Sequence, residues 1–144
     1  MKCRIVIDPT RDEEVVIYAH EASERAEQIR RFVTGEVAPL YGQDGAEFVR
    51  LSTDEISRFV IEGGHLMAVC GSKRYRMRER LFEIEEAMPD GFVKINQSCI
   101  ARIKAMVRFE ATVGGSLKVV FKNGEWDYVS RRQLKAVKER LGLK

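Results

Sequence analysis

The pair Asn123-Gly124 stands between two short runs, SLKVVFK and EWDYVS, that are rich in β-branched and aromatic residues. Such runs favour extended backbone, and Asn-Gly suits a two-residue type I′ hairpin turn. An antiparallel hairpin is therefore expected between Ser116 and Ser130. The period then changes. In RRQLKAVKERLG the apolar residues Leu134, Val137 and Leu141 share one helical face, with Ser130 at the N-cap position. A hairpin feeding straight into an amphipathic helix excludes an all-helical end. It also sets Arg131 and Arg132 in the first helical turn, where the helix dipole disfavours positive charge. Two arginines there point to an anion outside the helix.

The earlier segments read in the same way. KCRIVID and EVVIYAH are expected strands, broken by the turn-forming DPTRDEE. ASERAEQIRRFVTG is an expected helix, capped by Ser23 and stopped at Gly35, with Ala22, Ala26, Ile29 and Val33 as its apolar stripe. APLYGQDG reads as a Pro/Gly connection. It sets a boundary between an N-terminal β-β-α extension, residues 1–44, and a second domain, residues 45–144. From AEFVRL to KRYRMR several short strands are expected, separated at Gly63-Gly64 and at the GSK turn. ERLFEIEEAM reads as a short helix with Leu81, Ile84 and Met88 facing inward. FVKINQS is a strand, and CIARIKAMVRFEA a strand with a bend inside it. The chain is thus mainly β, α+β overall.

Composition excludes several classes. Cys3, Cys70 and Cys99 are odd in number and have no CxxC spacing, so reduced thiols are expected and a zinc site is not. The longest apolar stretches, such as HLMAVC, are too short to cross a bilayer, and the start turns charged before any signal-peptide core. A cytoplasmic protein is expected. There is no nucleophile elbow, paired metal-binding histidine motif, P-loop or dinucleotide fingerprint, so neither an enzyme nor a cofactor is proposed. His20 and the Glu85-Glu86 pair read as solvated surface groups.

Charge is segregated. Residues 1–45 hold nine acids and six Lys/Arg, while residues 91–144 hold twelve Lys/Arg and four acids. A basic end of this kind is the footprint of a polyanion binder. It carries Lys94, Asn96, Gln97, Arg131 and Arg132 at expected strand and helix ends, with His65 near a turn. Arginine reads guanine through a fork of two donors, and Asn or Gln can give adenine a donor and an acceptor together. The plainer alternatives are that Gln97 bonds to a loop backbone and that Arg132 is simply hydrated. The basic face also suits an acidic protein partner.

From Phe48 to Gly142 the chain resembles the LytTR-type DNA-binding domain of bacterial transcription regulators. The carriers are GFVKINQSCIARIKAM, then LKVVFKNGEWDYVSRRQLKAVKERLG, preceded by STDEISRFVIEGGHLMAV and YRMRERLFEIEEAMPDGFVKI. The resemblance implies an elongated succession of small antiparallel sheets with two short helices, which meets double-stranded DNA through loops and strand ends. It implies base contacts from His65, Asn96, Gln97 and Arg132, and phosphate contacts from Lys94, Ser98, Arg131 and Lys135. Asn96 stands where the family commonly has histidine, Arg102 where it has asparagine, and Cys99 where it has an aromatic residue, which implies a different site preference. The N-terminal piece resembles that of stand-alone regulators of this family, which have no receiver domain. That likeness implies direct-repeat sites and a small membrane protein as a regulatory partner, while the extension's expected exposed strands and apolar helix stripe suggest a homodimer contact.

Overall fold

In the computed structural model residues 1–35, 39–87 and 90–143 are described. The chain divides into two units, Met1–Ala38 and Pro39–Lys144.

Among its described residues the first unit has one regular element, the helix α1 (Glu24–Thr34). Ser23 caps it by accepting a bond from the Ala26 N–H at 3.1 Å, and Gly35 ends it at φ 71°. The two strands expected before it do not form. No described residue before Leu40 joins a ladder. The reason is the lack of a bonded neighbour, since a strand exists only through its partner. No residue of 1–35 is buried.

The second unit carries two antiparallel sheets. The larger has seven strands: β1 (Leu40–Asp44), β2 (Glu47–Leu51), β3 (Arg58–Glu62), β4 (His65–Cys70), β5 (Lys73–Met77), β6 (Phe92–Asn96) and β7 (Cys99–Arg102). Their order is β2-β1-β5-β4-β3-β7-β6. The smaller has the order β10-β9-β8, from β8 (Met106–Ala111), β9 (Leu117–Phe121) and β10 (Trp126–Val129). Among the described residues two α-helices, α2 (Leu81–Glu86) and α3 (Arg131–Leu141), and one 3-10 turn, Ile103–Ala105, complete the unit. Met88, expected inside the first of these, lies outside the described residues. No helix among the described residues is long and apolar enough to cross a membrane.

The expected connection APLYGQDG is in fact half strand. Residues 40–44 form β1, which pairs with β2 from Leu40↔Leu51 to Asp44↔Glu47 and with β5 at Gly42↔Met77. A Cβ at Gly42 would collide with the Cβ of Tyr75. Glycine is therefore placed here by close packing, not by a turn.

Alternation explains how the large sheet buries both faces in its centre. Val60, Val69 and Cys99 face one core, shared with Val119, Phe121 and Val129 of the small sheet and Val137 of α3. Their chain neighbours Phe59, Ala68 and Ile100 face the other, shared with Leu81 and Ile84 of α2. Phe59 and Phe92 meet there with ring centroids 5.6 Å apart. A side-chain period of two sends successive residues to opposite faces.

The Asn123-Gly124 hairpin forms, with a different turn from the expected one. Among the described residues no non-glycine has positive φ, so Asn123 is not in a type I′ turn. The Gly124 N–H donates to Phe121 O and the Phe121 N–H to Glu125 O, which leaves a three-residue loop closed by Gly124 at φ 86°. This is a type I turn followed by a glycine bulge. The Asn123 side chain explains the choice. Its Nδ2 donates to Gly71 O at 2.9 Å, tying the hairpin tip to the β4–β5 turn.

Candidate nucleic-acid interface

Three chain ends come together at one end of the second unit. The β3–β4 turn holds Gly63 and Gly64, and His65 follows it as the first residue of β4. The β6–β7 turn holds Gln97 and Ser98, and the start of α3 holds Arg131 and Arg132. The Ile61 N–H donates to Ser98 O at 2.9 Å, which extends the β3–β7 ladder and sets the first two turns side by side. The Ser130 N–H donates to Ile95 O at 2.9 Å, which brings the start of α3 beside the end of β6.

Asn96 is the joint between these pieces. Its Nδ2 donates to Asp127 Oδ1 at 3.1 Å and to Tyr128 O at 2.8 Å. Its Oδ1 accepts the Ser98 N–H at 2.8 Å. The side chain thus fixes the β6–β7 turn and clips it to β10. A register shift between Lys94 and Asn96 re-aims the strand end at the same place.

The two arginines, indistinguishable by sequence, differ in structure. Arg131 reaches back to the β8–β9 turn, where its Nε and Nη2 both donate to Gly114 O, the former at 2.9 Å. Arg132 is exposed and has no partner among the described residues. Gln97, His65, Ser98 and Lys135 are likewise exposed with free side chains. Lys94 is not free, since its Nζ lies 3.1 Å from Glu85 Oε2. The Ser130 side chain makes no capping bond, so the first N–H groups of α3 are left without the expected hydroxyl acceptor.

α3 itself is held by packing. Val137 is fully buried, and Leu134 and Leu141 pack on the same core. Its apolar face therefore supports the turns and is not available as a reading surface.

Sequence reasoning missed an ionic clamp behind the turns. Arg58, only 4% exposed, places its guanidinium carbon 4.8 Å from the Phe121 ring centroid and donates to Glu125 Oε1 at 2.9 Å. Arg74 donates to both Glu125 oxygens and, through Nε, to Glu62 at 2.7 Å. Glu62 is the last residue of β3, beside the Gly63-Gly64 turn, and Glu125 closes the hairpin loop at its tip. The Arg74 hydrogen bond is the largest cause holding the Glu125 carboxyl below the usual carboxylate range, against some burial. Arg74 is raised above its ordinary value, first by Glu125 and then by Glu62. The sequence signal was faint, an arginine among the apolar residues of RFVIEGG.

Known proteins agree with this architecture. The model of the LytTr DNA-binding domain matches residues 46–142. An uncharacterized HTH-type transcriptional regulator of Staphylococcus aureus strain NCTC 8325 is 23% identical over 146 residues, covering 99% of each chain. A second such regulator, from strain MSSA476, is 25% identical over 104 residues, covering 72% of this chain and 71% of that one. Among solved structures, the LytTr DNA-binding domain of a Bacillus cereus protein described as a methyl-accepting/DNA response regulator superposes with a TM-score of 0.69. It is 14% identical and covers 74% of this chain and 98% of that one. The relatives' names speak of helix-turn-helix, yet here α2 and α3 are separated by five strands, β6 to β10. With most of its length matched, from the β2 strand to the end of α3, the chain belongs to the LytTr DNA-binding domain family.

Proposed function

We propose that the chain is a transcriptional regulator that binds duplex DNA with sequence preference, as a homodimer on direct repeats. One observation carries the reading. Three side chains without partners, His65, Gln97 and Arg132, stand on three chain ends that backbone bonds hold together. Free donors and acceptors on rigid supports are what base recognition requires.

Roles follow from what each group has left to give. Arg132 offers a full guanidinium fork to guanine, and Gln97 a free amide to adenine. His65 reads from the neighbouring turn. Asn96 belongs to the reading set by fixing that set, because its own amide is already bonded. Ser98 and Lys135 are free to meet phosphate oxygens. Arg131 staples the β8–β9 turn and keeps Nη1 and its charge for phosphate. Lys94 reaches phosphate by leaving Glu85. These contacts position the protein without reading sequence.

Selection of bound fragments from random duplex DNA tests the reading. A direct-repeat motif is expected, with binding that weakens steeply as salt rises. Absence of any duplex retention at low salt would contradict it and favour an acidic protein partner for the basic face.

A further inference from the structure

The first unit contains an apolar β-branched segment that joins no ladder. Lys2–Asp8 alternates so that Cys3, Ile5 and Ile7 share one face whenever the segment pairs as a strand. Ile5 is 90% exposed and Ile7 92%. Elsewhere in the same unit α1 and residues Val15 and Ile17 form an open groove with Ala26 and Val33 in its wall. A unit this small, with no buried residue among those described, calls for a partner to cover its apolar surface. An open, apolar, β-branched edge is also a template for another strand.

Charge says which strand. Antiparallel self-pairing of Lys2–Asp8 about a two-fold axis at Ile5 sets Lys2 opposite Asp8 twice, Cys3 opposite Ile7 twice, and Ile5 opposite itself. One face is then continuously apolar, and each end closes with opposite charges. The other β-branched segment does not complement itself. Pairing EEVVIYAHE about Ile17 sets Glu13 against Glu21, which is repulsive. Shifting the first segment by one residue sets Arg4 against Ile5 and breaks the apolar face. Moving the axis to Val6 brings Pro9 into the ladder, where it has no N–H to give.

We propose that Lys2–Asp8 is the dimer contact of this protein, pairing antiparallel with the same segment of a second copy about Ile5. This rests on the homodimer reading above and is independent of the DNA reading.

Two measurements on the full chain test it. In sedimentation equilibrium Lys2→Glu and Asp8→Lys should each weaken the dimer by about tenfold, since an attractive cross-strand pair becomes repulsive at two symmetric places. The double charge swap should restore it. In a Cys3→Ser background, Ile5→Cys should form a covalent dimer on mild oxidation, because paired Cα atoms lie ~4.5–5.5 Å apart, within disulfide reach. Val6→Cys should not. The wild-type Cys3 should not cross-link either, because it faces Ile7. Dimers indifferent to both charge changes, or cross-linking at Val6→Cys in place of Ile5→Cys, would overturn the proposed contact while leaving a homodimer. A wild-type monomer at micromolar concentration would overturn both.

Discussion

Lys2–Asp8 and Leu117–Phe121 are both short apolar runs with lysine near the start, and they fare differently. The second pairs with β8 on one side and β10 on the other, and its Val119 and Phe121 are among the most buried residues of the protein. The first meets no ladder, and its isoleucines lie in the open. The pattern is similar, so the pattern cannot be what makes the strand. A neighbour with matching register does that, and the lesson extends to single side chains. Arg131 and Arg132 are one residue apart. One is drawn into the fold by a carbonyl in the β8–β9 turn, and the other is left for something outside it.

The contrast between closed and open regions can be broken by mutation. The largest effect is expected at Phe121, which fills the core between the sheets and lies under Arg58. Phe121→Ala should lower unfolding stability by about 3–5 kcal/mol in denaturant titration. Ile5→Ala, in the open segment, should change it by less than ~0.5 kcal/mol at concentrations where the chain is monomeric. Next comes Gly42→Val, which forces a side chain against Tyr75. A loss of about 1–3 kcal/mol is expected by the same titration. Equal losses at Ile5 and Phe121 would mean that the first unit carries a core of its own.

A smaller effect concerns pH. The Glu125 carboxyl is held below its ordinary value in the folded state, by Arg74 first. Its stabilising contribution is therefore complete above the unfolded carboxylate pKa of about 4.3 and is lost as pH falls through the lowered folded value. Melting temperature should drop over that acidic window, and Glu125→Gln should flatten the drop. Smallest is Glu85→Gln. Freeing Lys94 from its ion pair should tighten duplex binding a few-fold, without changing base preference, in a titration at low salt.

Much of the second unit was legible before the structure. The positions of the hairpin, of α3 and of α2 follow from turn residues and period. What was not legible depended on distant partners. Leu40–Asp44 looked like a loop because Gly42 looked like a turn residue, and only the packing of Tyr75, far along the chain, gives the glycine its reason. Asn123 was read for its backbone preference, while its side chain bond to Gly71 decides the turn. The candidate site shows the same limit. Asn96 and Gln97 are adjacent amides at a strand end, and sequence treats them alike. The structure ties Asn96 to Tyr128, Asp127 and Ser98, and leaves Gln97 free. The Arg58–Glu125–Arg74–Glu62 clamp was invisible because its members lie on three pieces far apart in the chain, β3, β5 and the β9–β10 turn.

The most direct measurement compares the two neighbouring arginines on one selected duplex. Binding and base preference are determined for Arg132→Ala and Arg131→Ala, with thermal melting of each variant. Arg132→Ala should cost about 1–3 kcal/mol of binding, relax preference at one base position, and leave melting unchanged. Arg131→Ala should weaken binding to all sequences alike and lower the melting temperature, because the β8–β9 turn loses its staple. Unchanged binding and preference in Arg132→Ala, with base preference lost in Arg131→Ala, would contradict the assignment of the free side chain as the reader and the bonded one as the support.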